Sequence, residues 1–277
     1  MKKAFLSLFT IAALVMSGCS KNDDNVTPDN PDTPDTPDVP ITGDYPSLNG
    51  SNYFPMILDE TAAATIKSKT VTDLFVNDFT DTEHYNGWIN LWFWNGLDAA
   101  DAMGPNFYGN LGYLALTVNS SEWFGFAPAL SYDTTIVGVE RGGTKVHASQ
   151  SEMTTAAKNA LAKMAVIDAT YNFHIAFKSQ RNGVYKLSLY DGVKEAGVTI
   201  GTTANDGTDF YFTRNGEWTE FDIPMARFIA QGLNYANIAA NAAAGQGLNL
   251  WAITQADGFA MPTDVNIDAV FFYQPAK

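Results

Sequence analysis

Cysteine is almost missing from this chain: Cys19 is the only one in 277 residues, which excludes a disulfide framework. Histidine is nearly as scarce. His84, His147 and His174 lie far apart and none falls in a His-Glu-x-x-His spacing, so no zinc-hydrolase ligand set is visible. Basic residues are few, with 16 Lys/Arg against 30 Asp/Glu and a net charge of −14. From residue 45 onward 13 Lys/Arg still face 23 Asp/Glu, a net −10. That charge repels a phosphate backbone and argues against a nucleic-acid partner. The Gly-x-Ser-x-Gly elbow, the Gly-x-x-x-x-Gly-Lys-Ser/Thr loop and the Gly-x-Gly-x-x-Gly fingerprint are all missing. Nucleotide-binding and serine-hydrolase readings lose their usual support. Disorder is excluded as well, because 46% of residues are hydrophobic and only 17% charged.

The N-terminus is organised differently from the rest. Lys2 and Lys3 precede an uncharged run from Ala4 to Met16, and the small residues Ser17 and Gly18 stand before Cys19. Thirteen residues at ~1.5 Å each fall well short of the ~30 Å hydrocarbon core, so the run reads as a signal peptide rather than a span. No later run is long and apolar enough to span. Met16-Ser17-Gly18-Cys19 resembles the bacterial lipoprotein box, with Met where Leu is commoner. The resemblance implies that Cys19 is lipidated and anchors the mature chain.

Pro28, Pro31, Pro34, Pro37 and Pro40 then recur at every third position. Polyproline II has three residues per turn, so the prolines share one edge and Asp29, Asp32, Asp35 and Asp38 share another, where like charges keep the strand extended. The expected organisation is a signal peptide over 1–18, a lipidated cysteine and extended linker over 19–44, and one folded domain over 45–277. Asp23 and Asp24, just after the cysteine, resemble the surface-export signal of Bacteroidetes lipoproteins, which implies an outer-membrane location facing the exterior; a periplasm-facing tether is the other reading.

The body reads as short strands broken by Gly, Asn and Asp turns. Asn182-Gly183 and Asn215-Gly216 have the residues a two-residue hairpin turn demands, and both predict antiparallel pairing of the flanking segments. Tyr171, Phe173, Ile175 and Phe177 alternate with Asn172, His174 and Lys178, so one face is apolar and the other is wet or lines a groove. Tyr185, Leu187 and Leu189 alternate likewise with Lys186, Ser188 and Tyr190. The run Val265 to Tyr273 is apolar on both parities, as expected of a strand covered on two sides. Helical spacing occurs at Met153, Ala157, Leu161 and Met164, with Ser149 or Ser151 as N-cap. Asp222 and Pro224 open a second helix carrying Met225, Phe228 and Ile229 and ending at Gly232, and Ala239 to Ala244 adds a short turn. These are too few helices to alternate with strands. The predicted fold is all-β, a jelly-roll β-sandwich of antiparallel strands with helical insertions.

Chemistry is harder to find than fold. A glycosidase needs only two placed carboxylates, the requirement that inspection excludes least well, but Glu217 and Glu220 around Trp218 point to opposite faces of a regular strand. Aromatics offer more. On the strand from Trp88 to Asn95, Trp92 and Trp94 share a face with Asn90, while Leu91 and Phe93 take the other. A sugar ring packs its axial C–H groups on an indole plane and its hydroxyls on amides or carboxylates, so such a face suits glycan. Each tryptophan taken singly also fits a core position. The candidate ligand-binding residues are Trp92, Trp94, Trp123, Tyr108, Trp251, Asn90, His174 and Gln255.

Phe75 to Phe79, the strand from Phe173 to Lys178, Trp218 to Pro224 and the closing Asn266 to Phe271 resemble the strand motifs of galactose-binding-like jelly rolls, many of which are carbohydrate-binding modules. The resemblance implies non-catalytic glycan binding. It also implies a structural calcium joining the first and last strands, with Asp78 and Asp268 at the matching positions. The expected protein is therefore a lipid-anchored outer-membrane protein that binds poly- or oligosaccharide without cleaving it, beside neighbouring uptake proteins as candidate partners. The rival readings are a glycoside hydrolase or lyase, and a structural or adhesive surface subunit.

Overall fold

The computed structural model describes residues 41, 43–72, 89–94, 97–118, 125–130, 159–180, 183–201, 207–243, 248–256 and 264–277, with backbone alone at 89–94, 97–103, 118, 128–130, 241–243, 248, 249 and 264. Cys19, the signal peptide and nearly all of the linker lie outside these residues, as do Asp78 and Trp123.

Thirteen strands are described: β1 (Ser51–Ile57), β2 (Ile89–Trp94), β3 (Leu97–Pro105), β4 (Leu111–Val118), β5 (Gly125–Leu130), β6 (Asn172–Lys178), β7 (Val184–Tyr190), β8 (Glu195–Gly201), β9 (Phe210–Tyr211), β10 (Thr219–Pro224), β11 (Leu248–Asn249), β12 (Trp251–Gln255) and β13 (Asp264–Gln274). They form two sheets. The six-stranded sheet runs β10-β6-β13-β4-β3, with β1 also paired to β13. The seven-stranded sheet runs β11-β5-β12-β7-β8-β9, with β2 paired to β5. All these pairings are antiparallel except β8 with β9. The fold is the predicted jelly-roll β-sandwich.

Period-two alternation builds the space between the sheets. Phe173, Ile175 and Phe177 of β6, Phe221 and Ile223 of β10, and Leu114 and Leu116 of β4 meet Tyr185, Leu187 and Leu189 of β7 and Val198 and Ile200 of β8 in one buried cluster. The closing strand β13 changes parity midway: Val265 and Ile267 point into this cluster, then Val270 and Phe272. A bulge between Asp268 and Phe271 shifts the register against β6, and Ala269 sits there at a φ of +52°. Ala269, Phe271 and Tyr273 consequently face the opposite side, where a second cluster buries them against Tyr53, Leu58, Ala62, Ile66 and Tyr108. This explains why the last run is apolar on both parities. Pro55 lies on edge strand β1, where a missing N–H costs no ladder bond.

The second cluster exists because the segment before residue 72 folds over the outer face of the six-stranded sheet. Helix α1 (Glu60–Ile66) is capped by Asp59, whose Oδ1 accepts the Ala62 N–H at 3.0 Å. The same carboxylate accepts Asn110 Nδ2 at 2.8 Å and Asn106 Nδ2 at 3.2 Å, which ties the helix to the β3–β4 turn. Asn106 is itself buried, and its Oδ1 accepts the N–H groups of Tyr108 and Asn110. Asp59→Ala should therefore cost more than a cap, about 2–3 kcal/mol, because the Asn106 amide is left buried and unpaired. Urea denaturation would show it; a loss under about 0.5 kcal/mol would mean that the cap is not held this way.

Both Asn-Gly expectations need correction. β6 and β7, which flank Asn182-Gly183, lie in different sheets, as do β9 and β10, which flank Asn215-Gly216. Each strand has two edges to satisfy: β10 and β13 take both edges of β6, and β12 and β8 take both of β7, so the link must cross between sheets. Gly216 still uses its freedom, at a φ of +83°, where a Cβ would lie 2.6 Å from Gln180 Nε2. Its N–H donates to Ser179 O at 3.3 Å, which binds the two crossings together. Asp191-Gly192 instead turns a true hairpin between β7 and β8. Asp191 accepts the N–H groups of Val193 and Lys194, and Gly192 takes a φ of +88°.

The helical expectations fare better. Residues 159–164 form α2, with Leu161 and Met164 fully buried, while the expected start of this helix lies outside the described residues. Pro224 caps α3 (Met225–Ile229), which buries Met225 and Phe228, and Gly232 follows at a φ of +99°; Asp222, expected to open this helix, lies instead within β10. α4 (Ala236–Ala243) covers the expected alanine-rich turn as far as Ala243, and Ala244 lies outside the described residues.

Candidate functional site on the six-stranded sheet

On β10, Phe221 and Ile223 enter the core, so Trp218, Glu220 and Asp222 take the opposite parity and line the outer face. β6 runs antiparallel beside it, with His174 directly across from Asp222 and Ala176 across from Glu220. The row continues past Ala176 to Lys178. Asn266 of β13 stands opposite both Lys178 and Ala115 of β4, and Tyr113 lies two residues along β4 on the same side. One face thus presents an acid–histidine group at one end and an aromatic–lysine group at the other.

The acid–histidine group is tightly built. His174 Nδ1 lies 2.8 Å from Asp222 Oδ1, and Nε2 lies 3.8 Å from Glu220 Oε2. The imidazole has no solvent exposure and stacks on Phe271 at 4.5 Å and 20°, with Phe107 and Tyr273 also beside it. Because Asp222 can only accept, Nδ1 is the donor, and in the neutral ring Nε2 carries the lone pair. Nε2 has no hydrogen-bond partner among the described residues, and such a group costs roughly 1–3 kcal/mol when buried. The two carboxyls are driven apart in acidity. Burial pushes Glu220 up, and the Asp222 charge adds to this against the opposing pull of His174 and Ser47. Burial also works to raise Asp222, but hydrogen bonds from His174 and Tyr273, with the attraction of His174, hold it below the ordinary range. Ser47 Oγ lies 3.5 Å from Glu220 Oε2, at the edge of hydrogen-bond distance.

The aromatic–lysine group is more open. Trp218 and Tyr113 are both part-exposed and meet edge to face at 5.2 Å and 86°. The Trp218 indole N–H donates to Pro105 O at 3.1 Å, which fixes the ring. Lys178 Nζ lies 5.2 Å from the Tyr113 ring centre and 5.4 Å from that of Trp218. Ala115 is small, and Thr117 is exposed beyond it.

The expected binding residues are scattered. Trp251 is fully buried between Phe126 and Phe173, so the expectation that it faces ligand is corrected: its ring spans the sandwich interior. Tyr108 is likewise buried, in the β3–β4 turn against Tyr45 and Phe107. His174 lines no open groove, because the second cluster covers it. Gln255 ends β12 in the other sheet and is part-buried. For Asn90, Trp92 and Trp94 the backbone alone is described. Phe93 pairs with the core residue Phe126, and Trp92 and Trp94 take the alternate register opposite Ala127 and Gly125. Asp268 sits at the bulge, fully buried, where its Oδ2 accepts the Phe107 N–H at 2.9 Å.

Tyr113, Lys178, Trp218 and Asp222 were not singled out as site residues from sequence. The signal was present, since the parity of Trp218-Thr219-Glu220-Phe221-Asp222-Ile223 sets three polar or aromatic side chains on one face.

No protein-family model matches the chain, and no curated protein matches it. Among solved structures, it is similar to the family 11 carbohydrate-binding module of the cellulosomal cellulase Lic26A-Cel5E of Clostridium thermocellum, at 8% identity and a TM-score of 0.36, over 71% of this chain and 94% of that one. An exo-β-agarase is similar at 12% identity and a TM-score of 0.37, over 72% of this chain and 24% of that one. An α-L-arabinofuranosidase gives 13% identity and 0.33, over 66% and 23%. With overlap this slight, the fold assignment rests on the strand pairing and the function on the residues of this chain.

Proposed function

We propose that the chain binds poly- or oligosaccharide without cleaving it, on the outer face of the six-stranded sheet at Tyr113, Lys178, Trp218 and Asn266. The supporting observation is the part-exposed Trp218–Tyr113 pair, held in place by the indole bond to Pro105 O. Flat rings receive the C–H face of a pyranose, while Lys178 and Asn266 supply donors for its hydroxyls. In this proposal Cys19 carries the lipid that holds the domain to the outer membrane, and the proline-rich linker spaces it outward, with uptake proteins as neighbours; the lipobox-like run and the three-residue proline period support it. No helix among the described residues is long and apolar enough to cross a membrane.

The full chain in detergent should be retarded on affinity electrophoresis by at least one plant, algal or microbial polysaccharide, and Trp218→Ala should weaken that retardation about tenfold or more. A tenfold loss corresponds to about 1.4 kcal/mol. Retention that Trp218→Ala and Tyr113→Ala leave unchanged would move the site elsewhere.

One observation favours a second reading, hydrolysis: Glu220 and Asp222 are neighbours on one face with acidities displaced in opposite directions. Release of reducing ends by the wild type, lost in Glu220→Gln, would replace binding with cleavage.

A further inference from the structure

We propose that His174 Nε2 and the Glu220 carboxylate together hold one divalent transition-metal ion of the zinc class, with Asp222 orienting the imidazole from its other nitrogen. This site is separate from the glycan platform and does not depend on it. A metal-binding histidine needs three things: a lone pair aimed at the ion, a fixed tautomer and a fixed ring. Asp222 Oδ1, 2.8 Å from Nδ1, sets the tautomer and leaves Nε2 as the free electron pair. Phe271, stacked 4.5 Å away, sets the ring plane. The aim is shown by Nε2 itself, which is buried, has no hydrogen-bond partner among the described residues, and faces Glu220 Oε2 at 3.8 Å.

In the neutral ring Nε2 and the Glu220 carboxylate turn lone pairs toward each other at 3.8 Å, too far apart to share a hydrogen bond. A cation held by both would satisfy them. Two ligands of one tetrahedral zinc, each ~2.0–2.1 Å from the ion, stand ~3.4 Å apart, so a small rotation of Glu220 closes the present gap. One nitrogen and one carboxylate oxygen suit zinc, cobalt or nickel, whereas calcium seeks six to eight oxygens. The Glu220 side chain is 35% exposed, so its carboxylate can take up an ion from solvent, and water would complete the coordination. The ion would join β6 to β10 close to Ser47 of the covering segment.

The test is a cobalt and zinc titration of the full chain in detergent after chelator treatment, read by cobalt d–d absorption and calorimetry. Uptake of one ion per chain is expected, with a rise in melting temperature at saturating zinc. Glu220→Gln should weaken binding roughly tenfold or more, and Asp222→Asn should weaken it as loss of a supporting carboxylate does, about 10–100-fold. His84→Gln and His147→Gln should bind as the wild type does. Should His174→Gln fail to fold, the half-exposed Glu220 still decides the matter. No uptake below millimolar metal, or uptake that Glu220→Gln leaves unchanged, overturns the proposal and assigns the gap to a water molecule or a shared proton.

Discussion

Replacing Trp251 by alanine is expected to destabilise the fold by about 3–5 kcal/mol, the range for removing a large aromatic from a packed interior. The indole is fully buried. It meets Phe126 of its own sheet at 5.5 Å and Phe173 of the facing sheet at 6.3 Å, so truncation opens a cavity where the two layers touch. Neighbours in a close-packed interior recover only part of that volume. Since a typical domain has about 5–15 kcal/mol in total, the variant should unfold at much lower urea. Glycan retention by the fraction still folded should be unchanged, because the ring faces no solvent. A variant of nearly wild-type stability that has lost its ligand would return Trp251 to a binding surface.

Stability should also depend on pH through Asp268. Burial pushes its carboxyl up to about 7 from an ordinary 3.8, although the Phe107 and Ala269 N–H groups pull the other way. The folded protein therefore favours the protonated acid and the unfolded chain the ionised one. The contribution is fully present below pH ~4 and is lost as the pH rises through about 7. The gap between 3.8 and about 7 sets the full swing at about 4 kcal/mol. Asp268→Asn keeps an acceptor for Phe107 N–H and removes the titration. Urea unfolding at pH 5 and pH 8 should then show a wild-type loss between the two that the variant lacks in large part. Asp191, held below the ordinary carboxyl range by backbone and Asn237 hydrogen bonds that outweigh its burial, acts with the opposite sign only at acid pH and leaves this comparison untouched. Equal pH dependence in both proteins would mean that Asp268 is ionised in the fold, as a bound cation would make it.

The sandwich was legible wherever strands alternate regularly. Phe173-Ile175-Phe177 and Tyr185-Leu187-Leu189 reach the core as their parity requires, and the doubly apolar closing run is the strand covered on both sides. Pairing partners were less legible. Asn182-Gly183 encodes a reversal, but whether the chain returns to the same sheet or crosses to the other depends on which edges distant strands already occupy, β10 and β13 on β6 and β12 and β8 on β7. The site divides in the same way. Trp218, Glu220 and Asp222 could be placed on one face from parity alone. The burial of His174 could not, because it follows from residues before 72 and the β3–β4 turn folding onto that face through nonlocal contacts such as Asp59 with Asn106 and Asn110. Trp251 was misjudged because an indole suits a sugar platform and a core equally well.

The most direct check is a nitrogen-labelled spectrum of the six indole N–H groups while a retained oligosaccharide is added. The Trp218 signal, identified by its loss in Trp218→Phe, should shift and saturate with the ligand while the Trp251 signal stays fixed. A saturating shift at any other indole with Trp218 unmoved would contradict a glycan platform on the outer face of the six-stranded sheet.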